Sequence, residues 1–334
     1  MATYINDILN HLRALQTWAA GKDMALDLDV KTFLLEVKHR GRYFTMYPMF
    51  QGGENGRPER VFHMEVLTNE TIGFGGWRPY RTIQHPLSTD KQLFKNFLRS
   101  QSIATPESGL HDINRPPTFD YVIKGTRGSF GKEISGPYRA NTQPAKDSWA
   151  QWSAGNETFI EQFINGETAK IWFWGKRPIF AQSHAFPVVR GDGALSLDAL
   201  IRKRLAPRRN WDTFADRDLM LSCFNFQEMD LSAIVPEGKE IWIDYRFAQR
   251  YANPPGNGID TDSTLPQLME RSGAQIQQMG DALADLLRQA IAAPVLITVD
   301  CMVDPQSKIW WLEMNTNSLM PPEGYAAMFE DMFR

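Results

Sequence analysis

Cysteine is nearly absent from the sequence, in which only Cys223 and Cys301 occur among 334 residues. The two lie far apart, and neither belongs to a CxxC pair or to a cluster with histidine. The sequence therefore predicts neither a disulfide framework nor a structural zinc site. Because disulfides persist mainly in oxidising compartments, this scarcity favours a reducing compartment, and we expect a cytoplasmic protein.

An excess of charge of either sign is also lacking. The chain has 36 Lys and Arg against 39 Asp and Glu, a formal net charge of −3. A protein that binds DNA through its phosphates needs a clear basic excess on at least one face, so this balance argues against DNA as a partner. With 43% hydrophobic and 22% charged residues, the composition is that of an ordinary globular protein.

No apolar run approaches the roughly 18–20 residues that a membrane-spanning helix needs, so we expect no membrane partner. The first 22 residues lack the basic start and unbroken apolar stretch of a signal peptide, and their apolar residues follow helical spacing instead. Those residues are Ile5, Ile8, Leu9, Leu12 and Leu15. The spacing predicts an amphipathic first helix.

The order of predicted elements changes near residue 88. Residues 1–87 combine the helix with strand candidates at 32–37, 43–47 and 61–67, an α+β unit whose residues indicate no particular chemistry. After residue 88, strands alternate with helices. The long helix predicted at 268–292 carries an apolar stripe that needs a sheet to cover it.

A glycine-rich segment directly follows a predicted strand at 121–123. Gly125, Gly128 and Gly131 let backbone N–H groups approach an anion closely. Ser129 adds a hydroxyl donor and Lys124 a positive charge. The spacing matches neither GxxxxGK[ST] nor GxGxxG, and a plain hairpin remains the alternative.

Two acidic residues lie on the last two predicted strands, 295–303 and 309–313, and an amide follows the second of these strands. A short turn between these strands brings Asp300 close to Glu313 and Asn315, which share one face because strand side chains alternate. Carboxylate and amide oxygens suit Mg²⁺ shared with nucleotide phosphates. Solvated edge residues are the alternative, but both strands are otherwise apolar, and unpaired carboxylates beside a core are costly.

A third cluster lies at 159–167, where an apolar strand runs into an Asn-Gly turn between Glu161 and Glu167. The order of these three clusters, together with Lys91, resembles the ATP-grasp superfamily of carboxylate–amine ligases, with the motif order of D-alanine–D-alanine ligase. Segment 190–201 is similar to the GDG-plus-helix segment of cyanophycin synthetase and the bifunctional glutathione synthetases. The resemblance covers about residues 88–325.

The resemblance implies an α+β ATP-grasp fold, in which two α+β subdomains clasp ATP. These subdomains would be residues 88–157, with the glycine-rich flap, and 158–334, with the magnesium site. A small atypical α/β domain, residues 1–87, precedes them, and we expect it to contribute to substrate binding.

By motif, the resemblance also implies a nucleotide site. Lys91 and Lys124 match the lysines that contact ATP phosphates. The loop with Gly128, Ser129 and Gly131 matches the flap over the triphosphate. The residues that match the adenine and ribose contacts are Glu161, the backbone of Gln162 and Ile164, and Glu167.

The same resemblance makes Asp300, Glu313 and Asn315 the ligands of Mg²⁺, with Mn²⁺ as an alternative metal. Arg246 aligns with an arginine of the cyanophycin-like group that faces the phosphate or acyl phosphate, so Arg246 and Lys124 are the catalytic candidates. The chain departs from D-alanine–D-alanine ligases at Thr298, where those enzymes carry an arginine for the tetrahedral intermediate.

The implied activity is an ATP-dependent ligase that joins a carboxylate to an amine through an acyl phosphate, forming a peptide or amide bond on an amino acid or peptide. Its partners would be small-molecule or peptide carboxylates and amines, with homo-oligomerisation left open. Two alternatives remain, namely a non-catalytic nucleotide-binding or regulatory protein on the same scaffold, and an ATP-grasp kinase.

Overall fold

The computed structural model describes residues 4–53, 61–110, 117–126, 134–142, 158–206, 216–246, 263–290 and 294–333. These residues form helices and several sheets, and every pairing between the strands of these sheets is antiparallel. The predicted α+β class is therefore confirmed. Within the described ranges, no helix is both long enough and apolar enough to cross a bilayer.

The N-terminal part is a helix packed on a five-stranded sheet in which β5 also pairs with the third strand of the order β1-β2-β3-β4. The elements are α1 (Tyr4–Ala19), β1 (Met24–Leu28), β2 (Leu35–His39), β3 (Arg42–Gly53), β4 (Val61–Met64) and β5 (Thr71–Arg78). The strand predicted at 43–47 continues as β3 through Pro48, where the register to β5 shifts. A bulge tolerates the missing proline N–H, which explains why the sequence-based strand ended too early.

A second sheet has the order β6-β9-β7-β8 and lies beside the helix that begins at Lys91. The elements of this region are α2 (Pro86–Thr89), α3 (Lys91–Ser100), β6 (Ser108–Leu110), β7 (Tyr121–Gly125), β8 (Ile134–Tyr138) and β9 (Thr158–Gln162). Asp90 caps α3, because its carboxylate accepts a hydrogen bond from the Leu93 N–H at 2.9 Å. The cap fixes the first turn of α3 and therefore the position of Lys91.

A third sheet, with the order β11-β10-β14-β15, forms the C-terminal part. Its strands are β10 (Glu167–Trp174), β11 (Arg177–His184), β14 (Leu296–Val303) and β15 (Ile309–Asn315). The long helix α6 (Leu265–Ala290) buries Ile276, Met279 and Leu283 against this sheet, as its apolar stripe predicts. Phe94 and Leu98 of α3 belong to the same core, so α3 contacts the third sheet as well.

A smaller lobe has its own core and a two-stranded sheet. Its elements are β12 (Val188–Arg190), α4 (Leu197–Leu205), α5 (Arg217–Phe226) and β13 (Glu240–Trp242). Val122 of β7 and Met302 of β14 also join this core, which links the lobe to both neighbouring sheets.

The last helix, α7 (Gly324–Met332), returns to the N-terminal sheet. Its residues Tyr325 and Phe329 share a core with Trp77 of β5 and with Trp172 on the reverse face of the third sheet. Gly76 makes this approach possible, because it has φ +93° and a Cβ there would lie 2.7 Å from Met320 Cβ. The segment that follows β15 is thus closely packed on β5.

Replacing Gly76 by alanine is expected to lower the free energy of unfolding by about 2–4 kcal/mol, through both an unfavourable positive φ and overpacking. Gly21 is the matched control, since it has φ +74° but a Cβ added there would meet no atom within 4 Å. Its alanine variant should lose only about 1–2 kcal/mol. Urea unfolding of both variants measures the difference, and equal losses would contradict the close contact at Gly76.

Candidate functional site

A row of polar side chains crosses the third sheet from β11 to β15. Lys170 of β10 lies opposite Gln182 on one side and Asp300 on the other, and Asp300 lies opposite Glu313 of β15. Asn315 follows two residues after Glu313, and its Nδ2 donates to Asp300 Oδ2 at 3.3 Å. The structure therefore brings the three sequence-predicted metal ligands together.

The electrostatics of this row suit a divalent cation. Burial and the neighbouring negative charge of Glu313 raise the pKa of Asp300, although Lys170 acts in the opposite direction. Two carboxylates that repel each other are stabilised when a cation lies between them. No cluster of three His, Cys, Asp or Glu able to hold a metal occurs among the described residues, but this set has two carboxylates and an amide. These hard oxygen donors fit Mg²⁺.

Lys170 is a member of this row that the motifs did not single out. Its Nζ lies 2.8 Å from Oδ1 and 3.2 Å from Oδ2 of Asp300. Burial favours the neutral amine, but the charge of Asp300 outweighs it and raises the pKa of Lys170. A lysine between Ala169 and Ile171 on a buried strand is the sequence signal that could have identified it.

Lys91 reaches the same carboxylates from the start of α3. Its Nζ lies 3.5 Å from Glu313 Oε2, and its backbone N–H donates to the carbonyl of Thr126, directly after Gly125. The first turn of a helix carries a partial positive charge, so a lysine there is unfavourable unless anions lie close. Lys91 thus connects the predicted metal ligands to the beginning of the glycine-rich loop.

The carboxylate of Glu161 is shared by two lysines. Lys95 Nζ lies 2.6 Å from Oε2, and Lys124 pairs with Oε1. The side chain of Lys95 is fully buried and also donates to Thr105 Oγ1 at 3.2 Å. Lys95 lies four residues after Lys91, which places both lysines on one face of α3. Contact between Glu161 and adenine stays a prediction, and the structure shows its side chain engaged by two lysines.

Residues 162–164 form the turn between the second and third sheets. The N–H of Gln162 donates to the carbonyl of Glu107 at 2.8 Å, and the N–H of Phe163 donates to the carbonyl of Asp120 at 2.7 Å. Ile164 is buried in the core of the smaller lobe. This segment is therefore held by backbone hydrogen bonds from both sides. That it contacts adenine stays a prediction.

Glu167 begins β10 immediately after this turn. The preceding Gly166 passes so close to β14 that a Cβ there would lie 2.2 Å from the carbonyl oxygen of Val303. This close approach fixes the position of the Glu167 backbone. Its carboxylate pairs with Arg271 of α6. Glu167 is the predicted ribose residue, and Arg271 is a partner that sequence reasoning missed.

Arg246 lies on the smaller lobe and pairs with two carboxylates. Its Nη2 is 2.9 Å from Asp244 Oδ2, and its Nη1 is 3.1 Å from Asp216 Oδ2. Although burial opposes the charge, the bonds to Asp244 outweigh it and raise the pKa of Arg246. The catalytic role of Arg246 remains a prediction. In the structure, its positive charge is offset by the two carboxylates.

The predicted flap residues Gly128, Ser129 and Gly131 lie outside the described residues. Lys124, at the start of this loop, is described. The structure thus places one end of the predicted flap beside Glu161 and Lys91.

No protein-family model and no curated protein matches the chain. Among solved structures, it is similar to D-alanine–D-alanine ligase from Bacillus anthracis, with 16% identity and a TM-score of 0.37, over 73% of this chain and 63% of that one. It is also similar to a bifunctional glutathione synthetase from Pasteurella multocida, with 14% identity and a TM-score of 0.42, over 97% of this chain and 43% of that one.

A third similar structure is an L-amino acid ligase from Bacillus licheniformis, with 11% identity and a TM-score of 0.35, over 72% of this chain and 42% of that one. All three are ATP-grasp ligases, the superfamily that the motif order predicts. The chain aligns with less than two thirds of each ligase. Because every TM-score lies below 0.5, the function proposed below rests on the chain's own residues.

Replacing Glu161 by glutamine is expected to destabilise the fold by about 3–5 kcal/mol at neutral pH, because it leaves the buried Lys95 and the half-buried Lys124 without their anion. Burial alone would raise the pKa of Glu161, but Lys124 and Lys95 lower it from 4.5 to about 2. The stability that the carboxylate contributes is therefore present above pH 4.5 and lost as the pH falls towards 2.

Urea unfolding of the wild type and Glu161→Gln at pH 7, 4 and 3 measures this effect, and their difference should shrink as the pH falls. Glu36 is the control, since it pairs with Lys38 at an exposed site and its glutamine variant should cost at most about 1 kcal/mol. A Glu161→Gln difference that stays constant with pH would contradict the shared ion pair.

Proposed function

We propose that the chain is an ATP-dependent ligase that joins a carboxylate to an amine through an acyl phosphate. The observation that carries this proposal is the meeting of Asp300, Glu313 and Asn315 with Lys91, at the first turn of α3. Oxygen donors can coordinate the metal ion of a metal–triphosphate complex, and a lysine at a helix N-terminus can offset the negative charge of the phosphates.

ATP would lie between the second and third sheets, with its base at residues 162–164 and its ribose at Glu167. Asp300, Glu313 and Asn315 would hold Mg²⁺ or Mn²⁺, which supplies a Lewis acid for the phosphate oxygens. Lys91 and Lys124 offset phosphate charge from the side of α3 and β7. Lys95 keeps Glu161 paired when Lys124 turns towards a phosphate.

The reaction has two steps. The carboxylate of the first substrate attacks the γ-phosphorus, the bond to the β-phosphate oxygen breaks, and ADP leaves. The amine of the second substrate then attacks the acyl carbon, loses a proton, and displaces inorganic phosphate. Positioning and charge stabilisation dominate such catalysis, and residues 125–131 would exclude water from the acyl phosphate.

Lys170 supplies a positive charge beside Asp300 in this scheme. Thr298 lies on the same face of β14. Its side chain is uncharged, and its hydroxyl shares a hydrogen bond with the Ser318 hydroxyl. The positive charge that stabilises the negatively charged oxygen of the tetrahedral intermediate would therefore come from Lys170, on the neighbouring strand β10. Arg246, on the smaller lobe, is the other candidate for the charge of the acyl phosphate.

The substrates are proposed to be an amino acid or peptide and a second small molecule or peptide, joined by an amide bond in the cytoplasm. ADP release across panels of carboxylates, with and without amines, tests the reaction. ADP formed only when both are present supports the ligase. ADP formed with one phosphate acceptor alone would indicate the kinase, and binding without turnover would indicate a nucleotide-binding protein.

Replacing Glu313 by glutamine should reduce ADP formation by at least about 100-fold while the fold stays intact, because the metal site loses a charged ligand. Glu330, which pairs with Arg177 on an exposed surface, is the matched control, and its glutamine variant should retain activity. Thermal unfolding establishes that both variants fold. Near-normal turnover of folded Glu313→Gln would exclude the proposed metal site.

Replacing Lys124 by methionine should weaken ATP binding by about 10-fold or more, because a cation next to the triphosphate is lost while Lys95 still pairs with Glu161. Isothermal titration calorimetry with ATP and Mg²⁺ measures the affinity. The exposed Lys38→Met variant serves as a control of equal charge change. Unchanged affinity in Lys124→Met would mean that the glycine-rich segment is an ordinary hairpin.

A further inference from the structure

Arg271 and Glu167 form an ion pair between elements that lie 104 residues apart in the chain. The Nη1 of Arg271 is 3.4 Å from Oε1 of Glu167, and its Nη2 contacts Oε2, so the guanidinium engages both carboxylate oxygens. Each side chain is about one third exposed. Exposed pairs contribute little to stability, so stability alone does not account for this fixed arrangement.

A kink in α6 places Arg271 at this position. Ser272, the next residue, has φ −143° and ψ 19°, which interrupts the helical backbone within a 26-residue helix. Its hydroxyl is buried and donates to the carbonyl of Ser307 at 2.7 Å. Gln275 donates to the same carbonyl at 3.0 Å and accepts from the Ile309 N–H at 2.8 Å.

These bonds tie the kink to the turn between β14 and β15, the two strands that carry Asp300 and Glu313. The position of Arg271 is therefore set by the same turn that joins the predicted metal ligands. Glu167 is fixed independently, because Gly166 packs against the Val303 carbonyl of β14. Both partners of the ion pair thus have defined places relative to β14 and the turn that follows it.

The chemistry of a carboxylate leaves room for a second partner. An ionised carboxylate has about four acceptor positions, and a two-pronged guanidinium occupies two of them. The remaining two can accept hydrogen bonds from a pair of neighbouring hydroxyls. A planar guanidinium also restricts rotation of the carboxylate, which a lysine ammonium does less well.

We propose that Arg271 is a positioning residue that orients Glu167 for the 2′- and 3′-hydroxyls of the nucleotide ribose and thereby gives the site its preference for ribose over deoxyribose. This inference rests on the proposed function, because it needs ATP at the hinge of residues 162–164. In this proposal, Arg271 acts on the nucleotide only through Glu167.

Calorimetric titrations of the full chain with ATP and with 2′-deoxyATP, each with Mg²⁺, test the proposal. The wild type should bind ATP at least about 10-fold more tightly than 2′-deoxyATP. Arg271→Ala should lose most of this ratio, because it should weaken the binding of ATP about 10-fold and the binding of 2′-deoxyATP by less than about twofold. Arg271→Lys should keep an intermediate ratio, since it retains the charge without the planar fork.

Glu167→Ala should lose the ratio as well, and the double variant should lose no more than Glu167→Ala alone, because the two residues act as a unit. Asp281→Asn is the matched control, since it removes another ion pair, with Lys176, from the same helix. Its ratio should equal that of the wild type. Thermal unfolding of every variant separates a local effect from a loss of fold.

The outcomes distinguish a failure of the proposed function from a failure of this inference. A wild type that binds neither nucleotide would overturn the proposed function and this inference with it. A wild type that binds ATP without preferring it to 2′-deoxyATP would overturn the inference alone. The inference alone would also be overturned if Arg271→Ala keeps the wild-type ratio or weakens the binding of both nucleotides equally. An effect that adds fully to that of Glu167→Ala would overturn it as well.

Discussion

The shared carboxylate of Glu161 holds the site together, because it binds lysines from two different elements at a buried position. Lys95 belongs to α3 and Lys124 to β7, while Glu161 itself lies on β9. Glu161 and Lys95 are buried and Lys124 is half-buried, so these charges would be costly apart and each fixes the others. The same helix packs Phe94 on the third sheet and extends Lys91 to Glu313. Through α3, one ion cluster therefore sets the spacing between the second sheet and the proposed metal ligands.

A second set of charges acts in the same way on the third sheet. Lys170 offsets the charge of Asp300, a half-buried carboxylate that the neighbouring Glu313 repels. Asp300, Glu313 and Glu161 thus each have a lysine within contact distance, so their charges are largely offset in the structure without a nucleotide. The overall balance of 36 basic and 39 acidic residues conceals this local arrangement.

The sequence predicts what depends on local pattern. The alternation of strand side chains places Glu313 beside Asn315, and the apolar stripe of α6 predicts the sheet that covers it. It cannot predict partners that folding brings from far away, such as Lys170 for Asp300 or Arg271 for Glu167. Propensity also misjudges β3, which passes through Pro48 because a bulge removes the need for its N–H. The roles of Gly128, Ser129 and Gly131 remain predictions from motif alone.

The central claim is that Lys91, Lys124 and the carboxylates of the third sheet form one metal–nucleotide site. Calorimetric titration of the wild-type chain with a non-hydrolysable ATP analogue, in Mg²⁺ and again in excess EDTA, measures this directly. We predict one nucleotide per chain, bound at least about 10-fold more tightly with Mg²⁺ than without it. Absence of binding in both titrations, or an affinity that Mg²⁺ does not change, would contradict the account.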